Sequence, residues 1–199
     1  MDRLWWNKLE WCNNTLYMNA LLLSAGLGTR LKPITDKIPK VMVEVAGRPV
    51  LEHLVFYLHK YEINNIIVNL HYKPLKIMEH FGSSVLYTYE NELLGEEKTI
   101  KTLVENFPFI SEEYLVVMNG DTLTDLDLKK MFGYSLGNSI QSMEKDTYTG
   151  IKILSPFYFK GNTKMTNYYD TESHWFDIGT HEGLERARKY YDKESNKMS

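Results

Sequence analysis

The chain has 199 residues, 43% of them hydrophobic and 25% charged, which suffices for one sizeable core and a single ordinary domain. Its formal charge of -3 gives no general attraction to nucleic acid or membrane, so any affinity for phosphate must come from local placement of arginine and lysine. The single cysteine, Cys12, cannot form an internal disulfide, and no apolar stretch approaches the roughly 20 residues of a bilayer span, so the expected location is the cytoplasm.

Residues 1–17 hold three of the four tryptophans, and Leu4, Trp5, Leu9 and Cys12 would share one side of a helix. They read as an N-terminal extension, docked on the domain in preference to serving as a partner-binding arm, with the domain itself at 18–192 and a tail at 193–199. Leu21, Leu22 and Leu23 then form the short apolar run of a central parallel strand, and Gly26 and Gly28 let the following backbone turn sharply and approach a ligand. Arg30 and Lys40 supply cations where phosphates would lie. Two commoner glycine motifs are excluded: a dinucleotide fingerprint needs a third glycine where Leu31 stands, and the P-loop's Gly-Lys-Ser/Thr is absent.

Strand and helix signals alternate from there, as in a parallel sheet wrapped by crossover helices. Leu51, Leu54, Val55 and Leu58 stripe a helix near 50–61, and Asn65 to Leu70 reads as strand. Pro74 to Phe81 is a helix with proline in its first turn and Gly82 at its exit, Val85 to Tyr89 a strand, Thr99 to Val104 a helix, and Tyr114 to Met118 a strand. Asn119-Gly120-Asp121 stands where that strand ends, and open α/β sheets bind ligands at the carboxyl ends of their strands. KGNTKMTNYYD has loop composition, and Thr180 is a plausible N-cap for a last helix carrying Leu184, Ala187 and Tyr191.

Gly26-Leu27-Gly28-Thr29-Arg30, Pro33, Thr35 and Pro39-Lys40 resemble the signature of the sugar-phosphate nucleotidylyltransferases, the NDP-sugar pyrophosphorylases. The resemblance continues through GRPVLEH at 47–53, IIVNLHY at 66–72, VVMNGDTLTDLDL at 116–128, TGIKILSP at 149–156 and HWFDIGTHEGLERA at 174–187, in the family's order from Met18 onward. IIVNLHY is similar to the mannose-1-phosphate guanylyltransferase-like branch. The resemblance implies a Rossmann-like three-layer α/β/α fold with a mostly parallel central sheet. It also implies an enzyme that joins a nucleoside triphosphate to a sugar-1-phosphate, with neither nucleic acid nor membrane as partner; a homo-oligomer is compatible with it.

By the same resemblance, Asp121 and Asp177 hold magnesium (Mg2+), and Leu23, Ala25, Gly26, Gly28, Thr29, Arg30 and Gly120 surround the nucleotide. Glu90 and Gly95 map onto the segment that reads the base. Glu144 and Lys145 resemble the segment that grips a sugar hydroxyl and the sugar phosphate, although Asp146 replaces the family's proline, and Gly150 lines the sugar pocket. Arg30, Lys40, Asp121 and Lys145 are the expected catalytic set. No histidine or cysteine is required, because a phosphate monoester is already largely dianionic above pH ~6 and the difficulty lies in bringing two polyanions into line.

The chain also departs from the family. Glu96-Glu97-Lys98 replaces Thr-Ala-Gly at a helix start beside the expected nucleotide, where acids suit the helix dipole yet repel phosphate. The segments Met131 to Tyr148 and Lys160 to Tyr169 are short. Two other readings therefore stand beside the enzyme: a non-catalytic relative that binds nucleotide or NDP-sugar as a sensor or regulatory subunit, and a cytidylyltransferase acting on a non-sugar phosphate such as phosphocholine.

Overall fold

The computed structural model describes residues 18–135, 137–161 and 167–197. Strand β1 (Met18–Leu23) enters the core at once, buried along all its length except at Leu23. Three single 3-10 turns follow (Thr29–Leu31, Ile34–Asp36, Lys40–Met42), then a minimal hairpin of β2 (Glu44–Val45) and β3 (Arg48–Pro49). Helix α1 (Val50–Lys60) buries Leu51, Leu54, Val55 and Leu58, the stripe its spacing dictates. After β4 (Asn65–Leu70), α2 (Pro74–Phe81) begins on a proline whose missing N–H costs nothing in a first turn. It stops at Gly82, which adopts φ 51° and donates its amide to the Met78 carbonyl at 2.9 Å.

Next come β5 (Leu86–Tyr89), α3 (Glu96–Asn106), β6 (Tyr114–Asn119), β7 (Thr122–Thr124) and α4 (Leu128–Ser135). The second half holds β8 (Ile140–Glu144), β9 (Thr147–Leu154), the single turn α5 (Pro156–Phe159), β10 (Asn167–Asp170), β11 (Trp175–Asp177) and α6 (His181–Lys197). Thr180 caps α6 as expected, its Oγ1 accepting from the Gly183 amide at 3.1 Å.

Seven strands form one sheet in the order β10-β8-β9-β6-β1-β4-β5. β1 lies between β6 and β4, parallel to both, with Leu21 opposite Val117 on one side and Ile67 on the other. β5 is parallel to β4 and β10 to β8, while β9 runs antiparallel to both its neighbours. Alternate residues of the central strands serve two cores. Ala20, Leu22, Ile66, Val68, Val116 and Met118 pack with α1, α2, α4 and α6. Leu21, Ile67, Leu115 and Val117 pack on the opposite face with Ile100 and Leu103 of α3. A strand covered on both faces has no side to hydrate, which is why β1 reads as an apolar run with no alternation. Truncating one of these leucines to alanine costs about 2–5 kcal/mol, a large share of a domain's net stability.

The Lys160–Tyr169 segment, expected as loop, ends in a strand: Asn167–Asp170 pairs in parallel with β8 at the sheet's edge. Four residues alternating between half-buried and exposed are too few for a visible period. Helix α6 continues to Lys197, past residue 192. The expected extension at 1–17 lies outside the described residues. No helix among those described is long and apolar enough to cross a membrane.

Candidate active site

Beyond Leu23 the chain leaves the sheet, and Gly28 makes the turn in the left-handed region, at φ 65° and ψ 31°. Thr35 Oγ1 donates to the Gly28 carbonyl at 2.8 Å, and a Cβ on Gly28 would stand 2.8 Å from Thr35 Cγ2 and 2.9 Å from Lys40 Cβ. Both conformation and space therefore demand glycine there. Buried Leu31 anchors the next turn and leaves Arg30 exposed at the rim. Lys40 folds back along the loop, its Cε 3.1 Å from where a Gly26 Cβ would be, and its ammonium meets Asp121 Oδ2.

Asp121 lies two residues beyond the end of β6. Its partner acid arrives from 56 residues later because β11 pairs antiparallel with β7, setting Asp177 opposite Thr122, while the Ile178 amide donates to the Asp121 carbonyl at 2.9 Å. The side chains then meet at Gly179. A Cβ on that residue would lie 2.8 Å from Asp177 Oδ1, 2.9 Å from Arg30 Nη2 and 3.1 Å from Asp121 Oδ2. Arg30 Nη2 stands 3.9 Å from Asp177 Oδ2 in an exposed pair, the kind worth only about 0–1 kcal/mol. The Lys40–Asp121 pair is more sheltered, with side chains 17% and 11% exposed.

No group of three or more His, Cys, Asp or Glu side chains among the described residues could hold a metal ion. Asp121 and Asp177 nonetheless form a two-carboxylate set of hard oxygen donors. That suits a cation which keeps most of its shell as water or phosphate oxygen.

The opposite wall is built on Glu90, which is 3% exposed. Its Oε1 accepts from Asn69 Nδ2 at 2.8 Å and from Thr99 Oγ1, and its Oε2 from the Leu94 amide at 3.4 Å. Asn69 Oδ1 in turn accepts from the Ser24 amide, so a single network fixes the glycine loop to the start of α3. Glu96, the first residue of α3, forms an ion pair with Lys152 of β9, whose ammonium also lies 4.8 Å from the Tyr148 ring centroid. Burial pushes the Tyr148 phenol far above its ordinary range, and the Glu96 charge adds to the shift.

These walls enclose an open cleft of about 580 Å³ at the carboxyl ends of β1, β4 and β6. That position and size suit a small-molecule ligand in an open α/β sheet. A family model described as nucleotidyl transferase matches residues 19–135. The chain belongs to the nucleotidyl transferase family. D-glycero-α-D-manno-heptose 1-phosphate guanylyltransferase of Aneurinibacillus thermoaerophilus is 38% identical over 120 residues, covering 58% of this chain and 51% of that protein. The Campylobacter jejuni protein of the same name is 40% identical over 119 residues, covering 57% and 52%. The chain thus spans about half the length of the curated relatives it matches.

Among solved structures, HddC from Yersinia pseudotuberculosis complexed with GMP-PN superposes with a TM-score of 0.72 at 26% identity, covering 88% of this chain and 99% of that one. UDP-glucose pyrophosphorylase from Acinetobacter baumanii gives 0.71 at 17% identity, covering 88% and 93%, a likeness of fold alone.

Leu23, Ala25, Gly26, Arg30, Lys40, Glu90, Gly95, Asp121, Gly150 and Asp177 all line the cleft. Gly28, Thr29 and Gly120 do not line it; a Cβ on Gly120 would stand 2.7 Å from the Leu23 carbonyl oxygen. Gly150, at φ 87°, also lets β9 pass close to Thr122 and Asn119. Lys145 is not brought to the other cations. It sits exposed at the tip of the β8–β9 hairpin, where it and Asp146 take positive φ of 45° and 67°, the requirement of a tight two-residue turn. Glu144 accepts from Trp175 Nε1 and likewise lies outside the cleft lining.

Of the two acids at the start of α3, Glu96 is paired with Lys152 and Glu97 faces solvent. Sequence reasoning missed Asn69 and Lys152. Each is a polar residue inside an otherwise apolar strand, NIIVNL and GIKIL, and that interruption was the available signal.

Proposed function

We propose that the chain transfers a nucleoside monophosphate from a nucleoside triphosphate to a sugar-1-phosphate. An oxygen of the sugar phosphate forms a bond to the α-phosphorus, the bond from that phosphorus to the bridging oxygen breaks, and the electron pair leaves with pyrophosphate, giving an NDP-sugar. The observation that carries this reading is the convergence of Arg30 and Lys40 with Asp121 and Asp177 around Gly179 at the strand ends.

The glycine loop can approach the triphosphate with backbone N–H groups, since no side chain projects from Gly26 or Gly28. Arg30, held loosely and exposed, is free to close on the phosphates and to stabilise charge on the pentavalent centre. Lys40 exchanges Asp121 for phosphate oxygens when the triphosphate enters, and so releases that carboxylate. Asp121 and Asp177 would then hold magnesium, whose contribution when bound is to offset the negative charge of both phosphate groups. Glu90 and Asn69 keep the wall beside the base rigid. Guanine with a manno-configured sugar is the favoured pair, since two relatives carry names of that specificity.

The test is pyrophosphate release from a panel crossing four nucleoside triphosphates with glucose, mannose and D-glycero-α-D-manno-heptose 1-phosphates, plus phosphocholine, with magnesium present or chelated. Release from GTP and a manno-configured partner, lost on chelation, is expected. Tight nucleotide binding with no turnover on any pair would overturn the enzyme reading, and turnover of CTP with phosphocholine alone would overturn the sugar.

A further inference from the structure

The cleft lining holds four carboxylates in different states. One part of its lining pairs the cations Arg30 and Lys40 with Asp177 and Asp121, and another carries two glutamates that differ in their free valences. Glu90 is buried, and both its oxygens already accept hydrogen bonds from Asn69, Thr99 and Leu94. Glu96 is different. Its side chain is 32% exposed and lines the cleft, its Oε1 is held by Lys152, and its Oε2 accepts no hydrogen bond from the described residues. Lys152 is only 13% exposed and is not part of the cleft lining, so it fixes Glu96 without itself presenting a charge to the ligand.

A carboxylate in this state has accepting lone pairs and no donor to offer, so it repels phosphate oxygens and attracts hydroxyl or N–H groups. Its tether decides which part of a ligand it meets. The ion pair draws Glu96 from the start of α3 toward β9, beside Tyr148 and Thr147, and therefore toward the wall that also carries Gly150. We propose that Glu96, positioned by Lys152, is a specificity residue that accepts hydrogen bonds from hydroxyl groups of the sugar ring. This inference rests on the proposed function, because it names which portion of the NDP-sugar lies against β9.

Three measurements test it. With whichever pair turns over, Glu96→Gln should raise the KM for the sugar-1-phosphate about tenfold, the worth of one charged hydrogen bond, and leave the KM for the triphosphate within about twofold. Lys152→Met should shift the same KM in the same direction with kcat changed less, as befits a residue acting through Glu96. In the unmodified protein, sugar-1-phosphates lacking single hydroxyls should include one that binds about tenfold more weakly, and Glu96→Gln should no longer distinguish that analogue from its parent.

A rise in the triphosphate KM alone would place the base against Glu96 and overturn the proposal. So would an unchanged sugar-phosphate KM. Should no pair turn over, the enzyme reading fails separately, and calorimetric binding of GDP-mannose and UDP-glucose to the unmodified protein and to Glu96→Gln still decides: equal affinities overturn the role of Glu96, and a selective loss supports it.

Discussion

The Ile178 amide donates to the Asp121 carbonyl at 2.9 Å, and this main-chain bond makes one site from two distant stretches of sequence. It continues the β7–β11 ladder by one step beyond Asp177. Both carboxylates are thereby set by backbone pairing, with no dependence on the ion they are proposed to hold. Asp121→Asn and Asp177→Asn should therefore fold normally and fail chemically. Each should lower kcat by about 10²-fold or more and move the magnesium concentration for half-maximal rate upward. A magnesium titration of pyrophosphate release checks this, and a variant that titrates like its parent would remove that acid from the metal site.

Among the described residues Arg30 forms a long, exposed ion pair with Asp177 at 3.9 Å, so its removal forfeits little stability. Its proposed role is to meet charge that develops during transfer. Arg30→Ala should cut kcat by about 10²- to 10³-fold while the triphosphate KM changes far less, as for other donors aimed at a developing anion. Steady-state kinetics with thermal melts separates the two effects. A large rise in KM at constant kcat would make Arg30 a ground-state binder only.

Most of the sheet was legible because its signals were local and strong. The triple leucine of β1, the helical stripe of α1 and the proline and glycine that bound α2 each specify an element without tertiary help. The β8–β9 hairpin was not legible. Its turn places Lys145 and Asp146 at positive φ, where Asn-Gly is the readable signal, and only the flanking strand pairing enforces it. For the site, Arg30, Lys40, Asp121 and Asp177 could be named from their blocks, yet their convergence depends on the long-range pairing of β7 with β11. Lys152 stayed hidden because its partner, Glu96, is 56 residues away and was itself read as a liability.

Gly28 and Gly179 should respond differently to one added methyl. At Gly28 the left-handed backbone and the Thr35 and Lys40 contacts below 3 Å are parts of the scaffold, so Gly28→Ala should destabilise the fold by about 1–2 kcal/mol and disturb the loop. At Gly179 the three atoms nearest the methyl are the side-chain ends of Asp177, Arg30 and Asp121, which can move aside. Gly179→Ala should keep its melting temperature within a few degrees and lose most of its turnover. Equal melting temperatures for both variants, or full activity in Gly179→Ala, would contradict the arrangement around that residue.

Alkaline pH should unfold the protein through its buried tyrosines. Burial, with the neighbouring Tyr190 and Asp125 charges adding to it, pushes Tyr191 up to about 12. Burial likewise raises Tyr57 well above its ordinary value, and its hydroxyl donates to the Leu126 carbonyl at 2.7 Å. In the unfolded chain both titrate near pH ~10. The folded state thus holds these protons more tightly, so the contribution to stability is complete below pH ~10 and declines as pH rises toward the folded values. Chemical denaturation at a series of pH values should show no tyrosine-linked loss up to about pH 9 and a steepening loss between about 10 and 12, with an absorbance change for phenolate that coincides with unfolding. The phenolate absorbance removed by Tyr57→Phe and Tyr191→Phe separates these two rings from exposed tyrosines such as Tyr134 and Tyr168, and its appearance at pH ~10 in the folded protein, ahead of any unfolding, would mean that they are open to solvent.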